Sequence, residues 1–181
     1  MGFPKALLEA AGETFVDRLA GILAERCERV IVVLGHHADA VREGMRRAGQ
    51  AELVVNPRPE DGQLASLQCG LAAVPGGAEA VIFTPVDCPG VSPGTIAALI
   101  DAFRRTGARA VVPVYRGRRG HPVLCSRELA AEIAALPAEG RARDAVHGPG
   151  TEYLEVDDPG IVRDIDDAAA YREFLESGIL P

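Results

Sequence analysis

The sequence predicts an α/β protein built on a mostly parallel sheet with helices on both faces. Two observations carry that prediction. Short apolar, β-branched runs alternate along the chain with amphipathic stretches. The runs are apolar throughout rather than on every second residue, which suits strands covered on both faces. Right-handed crossovers in such a sheet bring ligands to the carboxyl ends of the strands.

The elements follow in order. Thr14 is placed to cap a helix whose third position is Asp17, with Phe15, Leu19, Ile22 and Leu23 on one face. Residues 29–35 (R-V-I-V-V-L-G) read as a strand buried on both faces, and 38–47 as a second helix. Residues 53–55 form a shorter strand, and Leu64, Leu67, Leu71 and Val74 make the next helical stripe. After a strand at 80–83 (A-V-I-F), Ser92 and Pro93 open a helix striped by Ile96, Leu99, Ile100 and Phe103. In the strand at 110–115 (A-V-V-P-V-Y), Pro113 lacks a donor and marks a weak point or a sheet edge. The stretch 117–156 is less regular and reads as an antiparallel excursion through 122–125 and 151–156. A helix starts near Ser126. A last one covers 167–177 and is stopped by Gly178.

Bulk properties bound the function. The 181 residues suit a single domain spanning 1–181, and 48% hydrophobic with 25% charged residues is a globular composition. No apolar run nears the roughly 20 residues that span a bilayer, and the start has no signal-peptide pattern, so a cytoplasmic location and no membrane partner are expected. A net charge of -7 argues against nucleic acid as a partner. Cys27, Cys69, Cys88 and Cys125 lack zinc spacing and read as ordinary thiols of a reducing compartment.

Five segments carry chemistry. The chain opens Met1-Gly2-Phe3-Pro4-Lys5, in which Gly2 would let backbone approach a phosphate and Lys5 would neutralise its oxygens. A solvated lysine at a frayed terminus is the plainer reading of the same residues. Asp87 follows the 80–83 strand inside Pro85-Val86-Asp87-Cys88-Pro89, rigidified by proline on both sides. A carboxylate there can hold Mg²⁺, or merely cap its own turn. Asp164 and Asp166 alternate onto one side of an extended segment, where one can complete a metal site while Asp166 or Asp167 caps the following helix. Residues 56–67 form a polar loop entering a helix, so Asn56, Gly62 and Ser66 offer polar groups and backbone amides to an anion or a base edge, or simply close a loop. Arg116, Arg118 and Arg119 cluster with glycines ahead of Gly120, His121 and Pro122, suiting a loop that closes on anionic groups or a solvated basic loop.

Taken in order, these segments resemble the MobA-like nucleotidyltransferases, most closely the molybdenum cofactor cytidylyltransferase branch. The resemblance rests on Met1-Gly-Phe-Pro-Lys5, Asn56-Pro to Gly62-x-x-x-Ser66-Leu, Pro85-Val-Asp87-x-Pro89, Pro113-Val-Tyr to Gly120-His-Pro122, and Asp164-Ile-Asp166. It implies a Rossmann-like three-layer α/β/α sandwich of the nucleotide-diphospho-sugar transferase type. It also implies transfer of a nucleoside monophosphate, CMP from CTP in that branch, to the phosphate of a molybdopterin acceptor with release of pyrophosphate. On that basis Lys5 and Asp87 would be catalytic. Gly2, Lys5, Asn56, Gly62 and Ser66 would bind the nucleotide, Gly120 and His121 would face the acceptor, and Asp87 with Asp164 would hold Mg²⁺. A molybdoenzyme would be a partner.

The family pattern begins with a strand and Leu-Ala-Ala-Gly-x-Ser-x-Arg ahead of Met-Gly-x-Pro-Lys. That first strand and half-loop do not stand before Met1 in this sequence. Either the true start lies upstream, which is the preferred reading, or the sheet is repaired by rearrangement or a partner, or the protein is degenerate. For the chain as given, neighbouring strands are expected to lack ladder partners, with weak NTP binding and poor turnover. Asp166-Asp167-Ala168-Ala169-Ala170 also departs from the family's usual Asp-Thr-Pro-Glu-Asp. The alternatives are a non-catalytic molybdenum cofactor carrier and a nucleotidyltransferase for another small phosphorylated metabolite. The sequence leaves the oligomeric state open.

Overall fold

A computed structural model describes residues 4–180. Gly2, one of the expected nucleotide contacts, lies outside the described residues. The chain starts with a 3₁₀ turn at Lys5–Leu7 and a small hairpin, β1 (Glu9–Ala10) and β2 (Glu13–Thr14). Helix α1 (Phe15–Ala24) follows, with Thr14 accepting from the Asp17 amide as its cap. Strand β3 (Ile31–Leu34), α2 (Ala38–Gly44), β4 (Glu52–Val55) and α3 (Gly62–Ala72) complete the first part. Then come β5 (Ala80–Phe83), α4 (Pro93–Thr106), β6 (Ala110–Tyr115), β7 (Arg118–Arg119) and β8 (Val123–Ser126). Helices α5 (Arg127–Ala134) and α6 (Ala142–Val146), β9 (Thr151–Glu155), a 3₁₀ turn at Pro159–Val162 and α7 (Ala168–Glu176) close the chain. Ser92, Ser126 and Asp167 cap α4, α5 and α7 with their side chains, each satisfying amides that a helix start leaves free. The second helix ends at Gly44, three residues short of its expected end.

The Rossmann-like α/β arrangement holds, with a mixed sheet. β3 and β4 pair in parallel, as do β6 and β9. β8 runs antiparallel between β5 and β6. The expected antiparallel excursion is therefore right for 122–125 and wrong for 151–156. The second segment returns through α5 and α6 and docks parallel to β6, the geometry a helical crossover favours.

Pro113 marks a weak point, and not a sheet edge, because β6 has neighbours on both sides. Val156 donates to the Val114 carbonyl, so Val114 presents its backbone groups to β9 and Pro113 presents its own to the opposite side. There β8 pairs only with Ala110 and Val111, and the Pro113 carbonyl accepts from Gly120 instead. The ladder breaks where proline has no donor to give.

β3 and β5 differ from expectation. Among the described residues β3 pairs in a ladder with β4 alone and β5 with β8 alone, and the two strands share no ladder. All four β5 residues and three of the four in β3 stay half-buried, although their sequences suit burial on both faces. Helix α3 lies against β3, where a Cβ at Gly70 would come 2.9 Å from Val33 Cγ2. On the other side Leu64, Leu67 and Leu71 pack on the cluster of Ala110, Val112, Leu129 and Ile133.

Candidate functional site

The site forms where the turn after β5, the loop before β8 and the segment before α7 converge. The turn brings Asp87 past the carboxyl end of β5. Its backbone carbonyl accepts from the Ile165 amide at 2.9 Å, which stitches the turn to the 164–166 segment. Ile165 is fully buried beside Phe15 and Phe174, so alternation turns Asp164 and Asp166 outward together. Phe15 makes edge-on contacts with Tyr171 and Phe174, fixing α7 behind them.

Two close backbone approaches hold this assembly. A Cβ at Gly160 would meet the Gly90 carbonyl oxygen at 2.0 Å, and one at Gly120 would meet the Ile161 carbonyl oxygen at 2.1 Å. The 3₁₀ turn at Pro159–Val162 is thus wedged between the turn that carries Asp87 and the loop that carries His121. Buried Asp158 caps that turn through Gly160 and also accepts from the Ser92 amide and the Thr95 hydroxyl at 2.6 Å. Gly120 therefore has a packing role at the expected acceptor side, and the adjoining His121 amide donates to Ile161 at 2.9 Å.

Lys5 reaches this cluster from the other side. Its Nζ lies 2.7 Å from Asp166 Oδ1 and 3.6 Å from Asp87 Oδ2. The Asp166 hydrogen bond, aided by the charge of Asp87, holds the ammonium above the usual lysine range against the opposing cost of burial. Sequence reasoning left Asp166 between metal ligand and helix cap. Asp167 caps α7 by accepting from Ala169 and Ala170, which removes the cap role from Asp166, and Asp166 pairs with Lys5.

Cys88, given no chemistry from sequence, is the pivot of the carboxylates. Its buried Sγ donates to Asp164 Oδ1 at 3.0 Å and lies 3.9 Å from Asp87 Oδ1, so both carboxylates border the same point. Burial, and then the Asp164 contact, pushes this thiol far above the ordinary range, leaving it a neutral donor. A lone cysteine between two prolines gives no sequence signal for this; only the fold brings Asp164 to it.

His121 sits beside the same carboxylates. Its Nδ1 is buried without a hydrogen-bond partner among the described residues. Burial depresses its pKa, against the pull of Asp164 and Asp87, so the ring is neutral near neutral pH.

The described residues contain no group of three or more His, Cys, Asp or Glu arranged to hold a metal. Two neighbouring carboxylates nevertheless fit a hard divalent cation of the Mg²⁺ type, which keeps waters and shares its shell with substrate phosphates. The donor set of Asp87 and Asp164 is all oxygen and meets that requirement.

The expected nucleotide contacts Asn56, Gly62 and Ser66 lie at the carboxyl end of β4 and the start of α3. Asn56 is buried; its Nδ2 donates to Ser66 Oγ at 3.1 Å and its Oδ1 accepts from the Arg58 amide at 2.9 Å. Gly62 takes φ 90°, and the α3 start has no side-chain cap. The Gly62 amide donates to the Pro59 carbonyl, which leaves the amides that follow it in the first turn of α3 for a ligand. Of the clustered arginines, Arg116 lies over Tyr115 and Arg119 over Tyr153, while Arg118 turns toward the 162–165 segment.

Comparison with known proteins identifies the family. Residues 1–155 match the family model of the MobA-like NTP transferase domain. The chain is 25% identical over 170 residues to the molybdenum cofactor cytidylyltransferase of Escherichia coli K12, covering 92% of this chain and 84% of that one. The crystal structure of Rv0371c from Mycobacterium tuberculosis H37Rv superposes with a TM-score of 0.84 at 29% identity, covering 97% and 90% of the two chains. Its manganese complex superposes with a TM-score of 0.83 at 29% identity, covering 96% and 92%. No helix among the described residues is long and apolar enough to cross a membrane.

Proposed function

The chain belongs to the MobA-like NTP transferase family, and within it we propose that it transfers CMP from CTP to the phosphate of a molybdopterin-type acceptor, with Mg²⁺ as cofactor. The observation that carries this reading is the meeting of Asp87, Asp164 and Lys5 at the carboxyl end of β5. The name of the Escherichia coli relative supports the nucleotide and the acceptor, and the manganese complex of Rv0371c supports a divalent metal.

In the reaction an acceptor phosphate oxygen attacks the α-phosphorus, the bond from that phosphorus to the β-bridging oxygen breaks, and pyrophosphate leaves with the electron pair. A phosphomonoester is largely ionised near neutral pH because its second pKa is about 6. No strong general base is needed, and neutral His121 need not act as one. Repulsion between anions is the obstacle. The divalent ion, when bound by Asp87 and Asp164, supplies charge neutralisation and a template for the phosphates. Lys5 exchanges its Asp166 contact for the triphosphate and steadies the leaving pyrophosphate. Asn56, Gly62 and Ser66 take the nucleotide, and Gly120 with His121 borders the acceptor.

The test is calorimetric binding of CTP and GTP with Mg²⁺ or Mn²⁺, coupled to pyrophosphate release in the presence of molybdopterin. The reading expects CTP to bind in preference to GTP, and Asp87→Ala to abolish release. Cofactor binding without pyrophosphate release would establish a carrier instead. Turnover unchanged in Asp87→Ala would remove the metal assignment.

A further inference from the structure

A cleft beside the carboxylates has a use that the metal and nucleotide contacts leave unfilled. It is bordered by Arg118 on β7, by Arg163 and Asp164 ahead of α7, and by Ala170 and Glu173 on α7. Resting on the transferase reading, we propose that Arg118 and Arg163 form the seat for the phosphomonoester of the acceptor.

Arg29, Arg42, Arg46, Arg47, Arg58 and Arg109 each pair with a carboxylate. Among the described residues Arg118 and Arg163 have no such partner, a state they share with other arginines, and what sets them apart is that both line this cleft. Arg118 is aimed by its Nη2, which donates to the Val162 carbonyl at 3.4 Å, one residue ahead of Arg163. That contact occupies one N–H of the fork and leaves the others for an anion. Two arginines lining one cleft offer positive charge and forked N–H donors of the kind that bind phosphate.

Position supports the assignment. Asp164 borders the same cleft and faces Cys88 and Asp87, so a phosphate held there abuts the metal-binding carboxylates. An acceptor oxygen at that border is placed to reach an α-phosphorus held from the Lys5 side. Glu173 borders the cleft as well, so two arginines against one glutamate suit a single phosphate better than a triphosphate. The nucleotide therefore belongs on the Lys5 side and the acceptor on the arginine side.

The experiment uses the full chain with Mg²⁺ and ribose 5-phosphate as a plain phosphomonoester probe. Arg118→Gln and Arg163→Gln are compared by calorimetry with wild type and with Arg105→Gln, an exposed arginine in the last turn of α4. Loss of one charge-assisted contact weakens ribose 5-phosphate binding about tenfold in each cleft variant. CTP binding stays at wild-type strength, and the Arg105 variant matches wild type in both. Unchanged ribose 5-phosphate binding in both cleft variants overturns the proposal, as does its absence in the wild type. A parallel fall in CTP affinity also overturns it, since the arginines would then serve the nucleotide. The transferase reading fails separately, by lack of pyrophosphate release in a protein whose ribose 5-phosphate affinity still depends on the two arginines.

Discussion

β5 and β6 pair with the same strand, β8, yet they end in different surroundings. β6 has β8 and β7 along one edge and β9 along the other, and Ala110, Val111, Val112 and Val114 are all buried. β5 has β8 alone among the described residues, and each of its four residues remains half-buried. β3 repeats the open case with β4. The apolar patterns I-V-V-L, A-V-I-F and A-V-V-P-V-Y are nearly equivalent as sequences. Apolar content therefore states how much cover a strand can accept, and its neighbours decide how much it receives. The candidate site stands at the boundary: Asp87 extends from open β5, while Gly120 and His121 sit in the loop between β7 and β8 of the closed sheet.

The widest separation between the two regions should appear in thiol reactivity. Cys125 lies on β8, fully buried, with its thiol pushed up to about 12 mainly by burial. Cys69 lies on α3 and is partly exposed. At about pH 8 a disulfide reagent should modify Cys69 at least ~10³-fold faster, because Cys125 must wait for opening of its core. Peptide mass spectrometry reads both sites; similar rates would show that the closed sheet opens as easily as the α3 face.

Core truncation comes next. Leu129→Ala, beneath the β6–β8 ladder, should cost about 3 kcal/mol in urea unfolding. Val33→Ala on half-buried β3 should cost about 1 kcal/mol or less. Equal losses would remove the distinction between the regions.

Gly160→Ala probes the boundary. Its Cβ would collide with the Gly90 carbonyl, so strain of about 1–3 kcal/mol is expected. Separation of the Asp87 turn from the 164–166 segment should also weaken Mn²⁺ binding, observable by electron paramagnetic resonance. Lost stability with unchanged Mn²⁺ affinity would show that the wedge supports the fold without aligning the carboxylates. The smallest effect belongs to the surface of the open pair. Arg29→Met removes the exposed Arg29–Glu52 ion pair between β3 and β4 and should change stability by less than about 1 kcal/mol. A larger loss would mean that this pair depends on its rim charges for registry.

Much of this was legible in the residues. Thr14, Ser92 and Ser126 were read as helix starts because a short polar side chain before an apolar stripe answers a purely local need for amide partners. The strands at 80–83 and 110–115 were read to the residue for the same local reason. The direction of 151–155 was not legible, since the same apolar and polar alternation fits parallel and antiparallel pairing alike. Strand-end position and alternation mark Asp87 and Asp164 as candidates, whereas Cys88 and Asp166 acquire their contacts across long sequence separations.

The sequence by itself determined where helices begin, which runs become strands, and which carboxylates stand outside buried Ile165, because those outcomes follow from side-chain period and backbone chemistry within a few residues. Only the tertiary structure decided that β6 is closed and β5 open, that one thiol borders two distant carboxylates, and that Arg118 rather than Arg116 or Arg119 turns toward Arg163. Those outcomes depend on close approaches such as Gly90 on Gly160 and Gly120 on Ile161, and local sequence carries no record of the partner across the gap.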